Sequence, residues 1–250
     1  MTDRSHPTGT EPVLRGATSS AARQPGAARQ PGATAPTAYG LPDRHPFYLL
    51  SKVVVAATLR LLADVRVDGF QHCPLNGGVI VASNHLSYVD IPLIGAWCPR
   101  MVIYFTKSEL ATAPVLGGIT RMYRPIYVRR GESDRQAVRA ALGSLACGQV
   151  LGIFPEGHRS RGAGLLPAMP GVALLAQRSG APVWPVALTG TERVGRTVRP
   201  RITLTGGLPF HPVAEAREAY GREPSHQEIA DHIMRRIAAL LPEGYRGHYK

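Results

Sequence analysis

Apolar residues in this chain gather in short unbroken runs, each ending in turn residues. The run at Val79–Asn84, "VIVASN", has the look of a strand covered on both faces. Comparable runs occur at "MVIYFTK" (101–107), "PIYVRRG" (125–131), "QVLGIFPEG" (149–157), "PVWPVALTG" (182–190) and "RITLTGG" (201–207), and "VRVDG" (65–69) reads as a shorter strand and turn. Between them lie stretches with helical character: "IPLIGAW" after Asp90, "RQAVRAALGSLACG" and "MPGVALLAQRSG". Near the end, "SHQEIADHIMRRIAALL" opens with a capping box, Ser225 and Glu228, and places Ile229, Ile233, Ile237 and Leu240 at helical spacing. Strands alternating with helices predict an α/β protein: a single-domain layered fold with a mixed, largely parallel sheet flanked by helices. No repeat architecture is visible.

An N-terminal helix precedes this domain. "PFYLLSKVVVAATLRLLA", Pro46 to Ala63, is apolar apart from Lys52 and Arg60, and is slightly short for a bilayer span. Two charges at a bilayer centre would be costly. The pattern fits an interfacial helix, with its cationic groups snorkelling towards lipid phosphates, or a helix packed on the core. Residues 1–43 are rich in Ala, Pro, Gly, Thr and Arg, contain the echo "AARQPGA" and "ARQPGA", and lack the large apolar residues a core requires. The expected organisation is a disordered tail at 1–43, a membrane-interfacial helix at 44–64 and a folded domain at 65–245.

Composition narrows the partners without choosing one. The chain has 250 residues, enough for one substantial core, and 44% of them are hydrophobic. Its formal net charge is +12, from 29 basic and 17 acidic residues. Only Lys52, Lys107 and Lys250 are lysines, so the positive charge is almost all arginine. Such a surface suits an anionic membrane, a phosphorylated small molecule or nucleic acid. A nucleic-acid binder would interleave basic and aromatic residues on one face or carry a recognisable module, and neither is evident. The three cysteines, Cys73, Cys98 and Cys147, form no C-x-x-C motif and are expected to be buried free thiols. The N-terminus lacks a secretory pattern, which predicts an intracellular location.

Candidate chemistry sits where two of the strands end. "VIVASNHLSYVD" leaves its apolar half to present Asn84, His85, Ser87, Tyr88 and Asp90. In one continuous helix His85 and Asp90 would lie about 140° apart and could not meet. A turn at His85 followed by a helix carrying Asp90 would let the carboxylate hold one ring nitrogen and leave the other as a base. A structural cap is the competing reading of the same pair. "IFPEGHRSRG", Ile153 to Gly162, likewise delivers Glu156, Gly157, His158, Arg159 and Arg161, either as an oxyanion site or as an exposed turn. Arg129 and Arg130 follow a third strand, where only one of them can point inward.

Together and in this order, these stretches resemble the glycerophospholipid acyltransferase family. Its N-H-x-x-x-x-D motif matches "NHLSYVD", and its F-P-E-G-T-R-S motif matches "FPEGHRS". Two weaker motifs match "RPIYVRR" and "APVWPVA". The resemblance runs from about Phe47 to Leu241. It implies acyl transfer from acyl-CoA or acyl carrier protein to the free hydroxyl of a lysophospholipid such as lysophosphatidic acid, at the cytoplasmic face of an anionic membrane surface. It also implies that His85 acts as general base with Asp90 orienting it. Arg130 and Arg159 would bind the acceptor's phosphate, and Glu156 and Gly157 would shape that pocket. No cofactor, no metal and no nucleic acid is expected. The departures fall on the acceptor side: His158 replaces a threonine, Arg129 an aspartate and Arg124 a glycine, and "AMPG" lacks a lysine common there. Other acceptors therefore stay open, namely glycerol 3-phosphate, another lysophospholipid or a lyso-aminolipid. A non-catalytic basic membrane-binding protein would leave the intact "NHLSYVD" unexplained.

Overall fold

A computed structural model describes residues 39–108, 118, 123–128 and 135–250. Seven strands, β1 (Asp64–Asp68), β2 (Val79–Ser83), β3 (Val102–Lys107), β4 (Ile126–Val128), β5 (Val150–Ile153), β6 (Val183–Thr189) and β7 (Arg201–Gly206), form one sheet in the order β1-β7-β6-β2-β5-β3-β4. All neighbours are parallel except β6 and β7, so β1 and β7 run against the other five. The helices are α1 (Pro46–Leu62), α2 (Asp90–Trp97), α3 (Arg135–Ala146), α4 (Gly171–Ser179), α5 (Pro212–Tyr220) and α6 (His226–Ala238). The layered, mixed and mostly parallel α/β fold expected from the strand–helix alternation is the fold observed.

The unbroken apolar strands are explained by two cores, one on each face of the sheet. Alternate side chains of a strand point to opposite faces. Ile80, Ala82, Ile103, Leu151 and Val183 accordingly join residues of α3, α4 and α6 in one cluster. Val79, Val81, Val102, Tyr104, Val150 and Trp184 join residues of α1 and α2 in the other. In α6 the capping box forms as the sequence indicates, and Ile229, Ile233 and Ile237 are buried. Helix α5 was not expected. Its sequence, "PVAEAREAY", buries only Pro212 and Ala216, and so small an apolar face leaves little periodic signal.

The end of the expected tail is ordered. The Gly40 N–H donates to the Arg124 carbonyl at 3.0 Å, and the Asp43 carboxylate accepts from the Met101 N–H at 2.6 Å, pinning residues 39–43 to the domain. Residues 1–38 lie outside the described region.

Helix α1 packs on α2; of its charged residues, Lys52 turns inward and Arg60 stays exposed. The Lys52 ammonium donates to the Cys98 carbonyl, and burial pulls its pKa down. The Arg60 guanidinium lies over the Trp97 ring, 5.3 Å from its centroid. Lys52 is thus held by the C-terminal end of α2, whereas Arg60 rests on the Trp97 ring with its side chain open to the surface. The large apolar residues that α1 leaves outward are Leu49, Leu50, Val53, Val54, Leu61 and Leu62, with Val53 at 66% exposure. No described helix is long and apolar enough to cross a membrane.

The cysteines divide. Cys73 and Cys98 are buried with their sulfurs 3.9 Å apart, whereas Cys147 is exposed, against expectation. Cys147 follows directly on the C-terminal residue of α3, where the chain turns through Gly148 towards β5.

Candidate active site

The site is built where β2 and β5, paired side by side, reach their C-terminal ends. Asn84, just past β2, is a structural clamp. Its amide donates to the Leu188 carbonyl at 2.9 Å and accepts from the Leu188 N–H at 2.7 Å, bolting the end of β2 to β6. The chain then turns, with the Asp90 N–H donating to the Ser87 carbonyl at 3.3 Å, and α2 starts at Asp90. This turn delivers the meeting that a straight helix forbids. His85 Nδ1 and Asp90 Oδ2 are 2.8 Å apart.

Asp90 Oδ2 also accepts from the backbone N–H groups of Leu86 and Ser87, at 2.7 and 2.8 Å. Asp90 is fully buried; two amides and an imidazole N–H serve Oδ2, while Oδ1 has no hydrogen-bond partner among the described residues. With Nδ1 engaged, His85 Nε2 makes no hydrogen bond among the described residues, and the side chain is 14% exposed. The ring is further fixed by stacking on Phe154, with centroids 4.0 Å apart. Phe154 in turn stacks on Tyr104. Gly152 makes room for that arrangement, since a Cβ there would stand 2.3 Å from the Tyr104 ring.

The second motif lies in the turn after β5. Glu156 was expected to shape a phosphate pocket, but it is fully buried and both its oxygens are committed to backbone. Oε1 accepts from the His85 N–H at 2.8 Å and Oε2 from the Leu166 N–H at 3.0 Å. Burial pushes its carboxyl up to about 7, although both backbone donors pull the other way. Glu156 therefore ties the two turns together and does not line the cavity. A second tie runs from the Ser160 N–H to the His85 carbonyl at 2.8 Å. Gly157, at φ +72°, makes the turn itself and is exposed.

Arg159 does reach the cavity. Its guanidinium covers the Tyr88 ring at 3.5 Å, and with Leu86, Ser87, Arg161, Glu192, Val194 and Arg196 it lines a cavity of about 220 Å³. Three arginines around one small cavity suit an anionic headgroup. His158 is exposed. Arg129 and Arg130 lie outside the described residues. Arg124, standing where a glycine is usual, adopts the positive φ (+49°) such a glycine would supply.

Sequence reasoning missed Glu192 and Arg196. Both follow β6 in "GTERVGR", a stretch that reads as an ordinary turn, and only the fold brings it beside the Arg159 turn.

A carboxylate-held histidine thus stands beside an arginine-lined cavity at the C-terminal ends of adjacent parallel strands. The acyltransferase family pattern matches residues 64–189, and the chain belongs to the glycerophospholipid acyltransferase family and is an O-acyltransferase. It is 36% identical over 180 residues to the 1-acyl-sn-glycerol-3-phosphate acyltransferase of Neisseria gonorrhoeae, covering 64% of this chain and 70% of that one. It is 33% identical over 127 residues to the lyso-ornithine lipid O-acyltransferase of Pseudomonas aeruginosa, covering 50% of this chain and 47% of the relative. Among solved structures it resembles the 1-acyl-sn-glycerophosphate acyltransferase PlsC of Thermotoga maritima, with a TM-score of 0.63, 25% identity and coverage of 77% and 78% of the two chains.

Proposed function

We propose that this protein moves an acyl group from acyl-CoA or acyl carrier protein to the free hydroxyl of lysophosphatidic acid, giving phosphatidic acid. The observation that carries the reading is His85 Nδ1 held 2.8 Å from the buried Asp90 carboxylate, with Nε2 making no hydrogen bond among the described residues. An alcohol is a weak nucleophile at neutral pH and needs its proton removed as it attacks. Nε2 takes that proton while the hydroxyl oxygen bonds to the thioester carbonyl carbon. The tetrahedral intermediate then collapses, the carbon–sulfur bond breaks, and the imidazolium returns the proton to the departing thiolate. Asp90 keeps the neutral ring in the Nδ1–H tautomer and stabilises the imidazolium that forms. No covalent acyl-enzyme is needed, because the acceptor attacks directly.

Arg159 binds the acceptor's phosphate in the cavity beside Ser87, with Arg161 and Arg196 adding to the field. The outward apolar face of α1 lies on the membrane, at its cytoplasmic surface, where both lipid substrate and product reside. A second acceptor is supported by one feature: Glu192 places a carboxylate among the arginines, which suits a headgroup carrying an amine as well as an anion. A lyso-aminolipid such as lyso-ornithine lipid fits that charge pattern.

The test is release of free thiol from oleoyl-CoA by the purified protein, with a panel of acceptors. Lysophosphatidic acid is expected to give the highest kcat/KM and phosphatidic acid as product. A higher value with lyso-ornithine lipid selects the second acceptor, and no acceptor-dependent thiol release overturns the enzymatic reading.

A further inference from the structure

The C-terminal segment is seated on the loop behind the site, and its contacts converge on the two parts the reaction needs. Its two short 3-10 turns are Glu243–Tyr245 and Gly247–Tyr249. The Leu165 N–H donates to the Tyr245 carbonyl at 3.0 Å, and the His248 N–H donates to the Leu165 carbonyl at 2.9 Å, so Leu165 is gripped from both sides. The Ala168 N–H donates to the Tyr249 hydroxyl at 2.9 Å, and that hydroxyl donates to Asp231 Oδ1 on α6 at 2.6 Å. Leu166 lies between these anchored residues, and its N–H is the one that donates to Glu156 Oε2. The other oxygen of Glu156 holds the His85 backbone. From the same segment, the Tyr245 hydroxyl donates at 2.9 Å to Glu192 Oε1, a residue lining the arginine cavity.

The approach is close enough to demand glycine. Gly247 has φ +49°, and a Cβ there would stand 2.4 Å from the nitrogen and oxygen of Leu165. Gly164 faces it, with its own Cβ position 2.7 Å from the Gly247 Cα. Backbone packed this tightly transmits a displacement instead of absorbing it.

We propose that residues 243–249 form a positioning strap for the acyl-transfer site. Tyr249 and Gly247 set the loop that fixes His85 through Glu156, and Tyr245 sets the acceptor cavity through Glu192. None of these residues touches the reacting atoms. The strap has two separable outputs, one on the base and one on the headgroup cavity. This rests on the acyl-transfer reading above.

The test uses the purified full-length protein, with two readouts that loss of folded protein does not imitate. One is the NMR signal of the His85 Nδ1 proton in the substrate-free protein, which reports the His85–Asp90 bond. The other is the separate KM values for donor and lysophosphatidic acid. Gly247→Ala is expected to shift or broaden the imidazole proton signal and to lower kcat by on the order of 10- to 100-fold, since small misplacements of catalytic groups are that costly. Tyr249→Phe keeps the ring and removes only the bridging hydroxyl. It is expected to move the same signal and lower kcat less, and it carries the test if Gly247→Ala does not fold. Tyr245→Phe is expected to raise the KM for the acceptor roughly tenfold with the KM for the donor unchanged. An imidazole signal unmoved in both Gly247→Ala and Tyr249→Phe, or an acceptor KM unmoved in Tyr245→Phe, overturns the strap. If the wild-type protein turns over no lysolipid while the signal still responds to Gly247→Ala, the acceptor assignment falls and the positioning role stands.

Discussion

Two fully buried carboxylates stand at the ends of adjacent parallel strands and act in opposite ways. Asp90, beyond β2, brings one oxygen to the imidazole of His85 and to two amides of its own turn. Its hydrogen bonds are all local in sequence, and one of them is with a side chain. Glu156, beyond β5, gives one oxygen to the backbone of His85 and the other to the backbone of Leu166, joining segments far apart in the chain. One carboxylate holds the ring of the histidine proposed as the base; the other holds the backbone in which that histidine sits. Equal burial thus says little about role, and the bonded partners decide it.

Substitutions pull the two roles apart. His85→Ala removes the base and is expected to lower kcat by about 10³-fold or more, with the fold intact by circular dichroism. Asp90→Asn is expected to cost somewhat less, on the order of 10²- to 10³-fold in kcat, because the ring loses its fixed tautomer and the stabiliser of its charged form. Glu156→Gln puts an amide N–H against one of two backbone N–H donors, leaving one unpaired. The expected loss is about tenfold in kcat with a lowered melting temperature, the cost of a buried unsatisfied donor being roughly 1–3 kcal/mol. Activity loss without any change in melting temperature would count against a framing role for Glu156.

The pH dependence of stability separates them again. Burial raises Glu156 from its ordinary 4.5 to about 7. At a pH between these values the folded protein keeps the proton and the unfolded chain releases it, so unfolding is favoured as pH rises. The Glu156 contribution is fully present below about 4.5 and is lost as pH climbs through about 7, a change of at most a few kcal/mol. Denaturant titrations between pH 4.5 and 8 are expected to show this decline in the wild type and a flatter profile in Glu156→Gln. Smallest in chemical effect are changes on the outer face of α1. Leu50→Asp with Val53→Asp is expected to reduce sedimentation with anionic vesicles while leaving turnover of a short-chain, water-soluble acceptor close to wild type.

The sequence made the Asp90 side of this contrast legible, and the structure was needed for the other. The strand "VIVAS", the five-residue step from His85 to Asp90 and the turn between them are all local features, and the geometry follows from the period of a helix. Glu156 could be singled out as chemically interesting, yet its partners lie in segments that only the fold assembles, so it was read as part of a pocket. The same holds for Lys52, whose inward contact with the Cys98 carbonyl depends on how α1 docks on α2. The capping box of α6 was legible because its two residues are three apart, while α5 was hidden by its small side chains. Tyr245, Tyr249 and Glu192 carried no motif at all. Their roles arise from non-local hydrogen bonds, which leave no periodic trace.

The central claim is that Asp90 acts only through the His85 ring, and a double-mutant cycle on kcat tests it most directly. Residues working as one unit are strongly non-additive. Asp90→Asn introduced into His85→Ala is predicted to cause no further loss of thiol release, to within about twofold. A further loss close to that of Asp90→Asn in the wild-type background would contradict the account and give Asp90 a separate role.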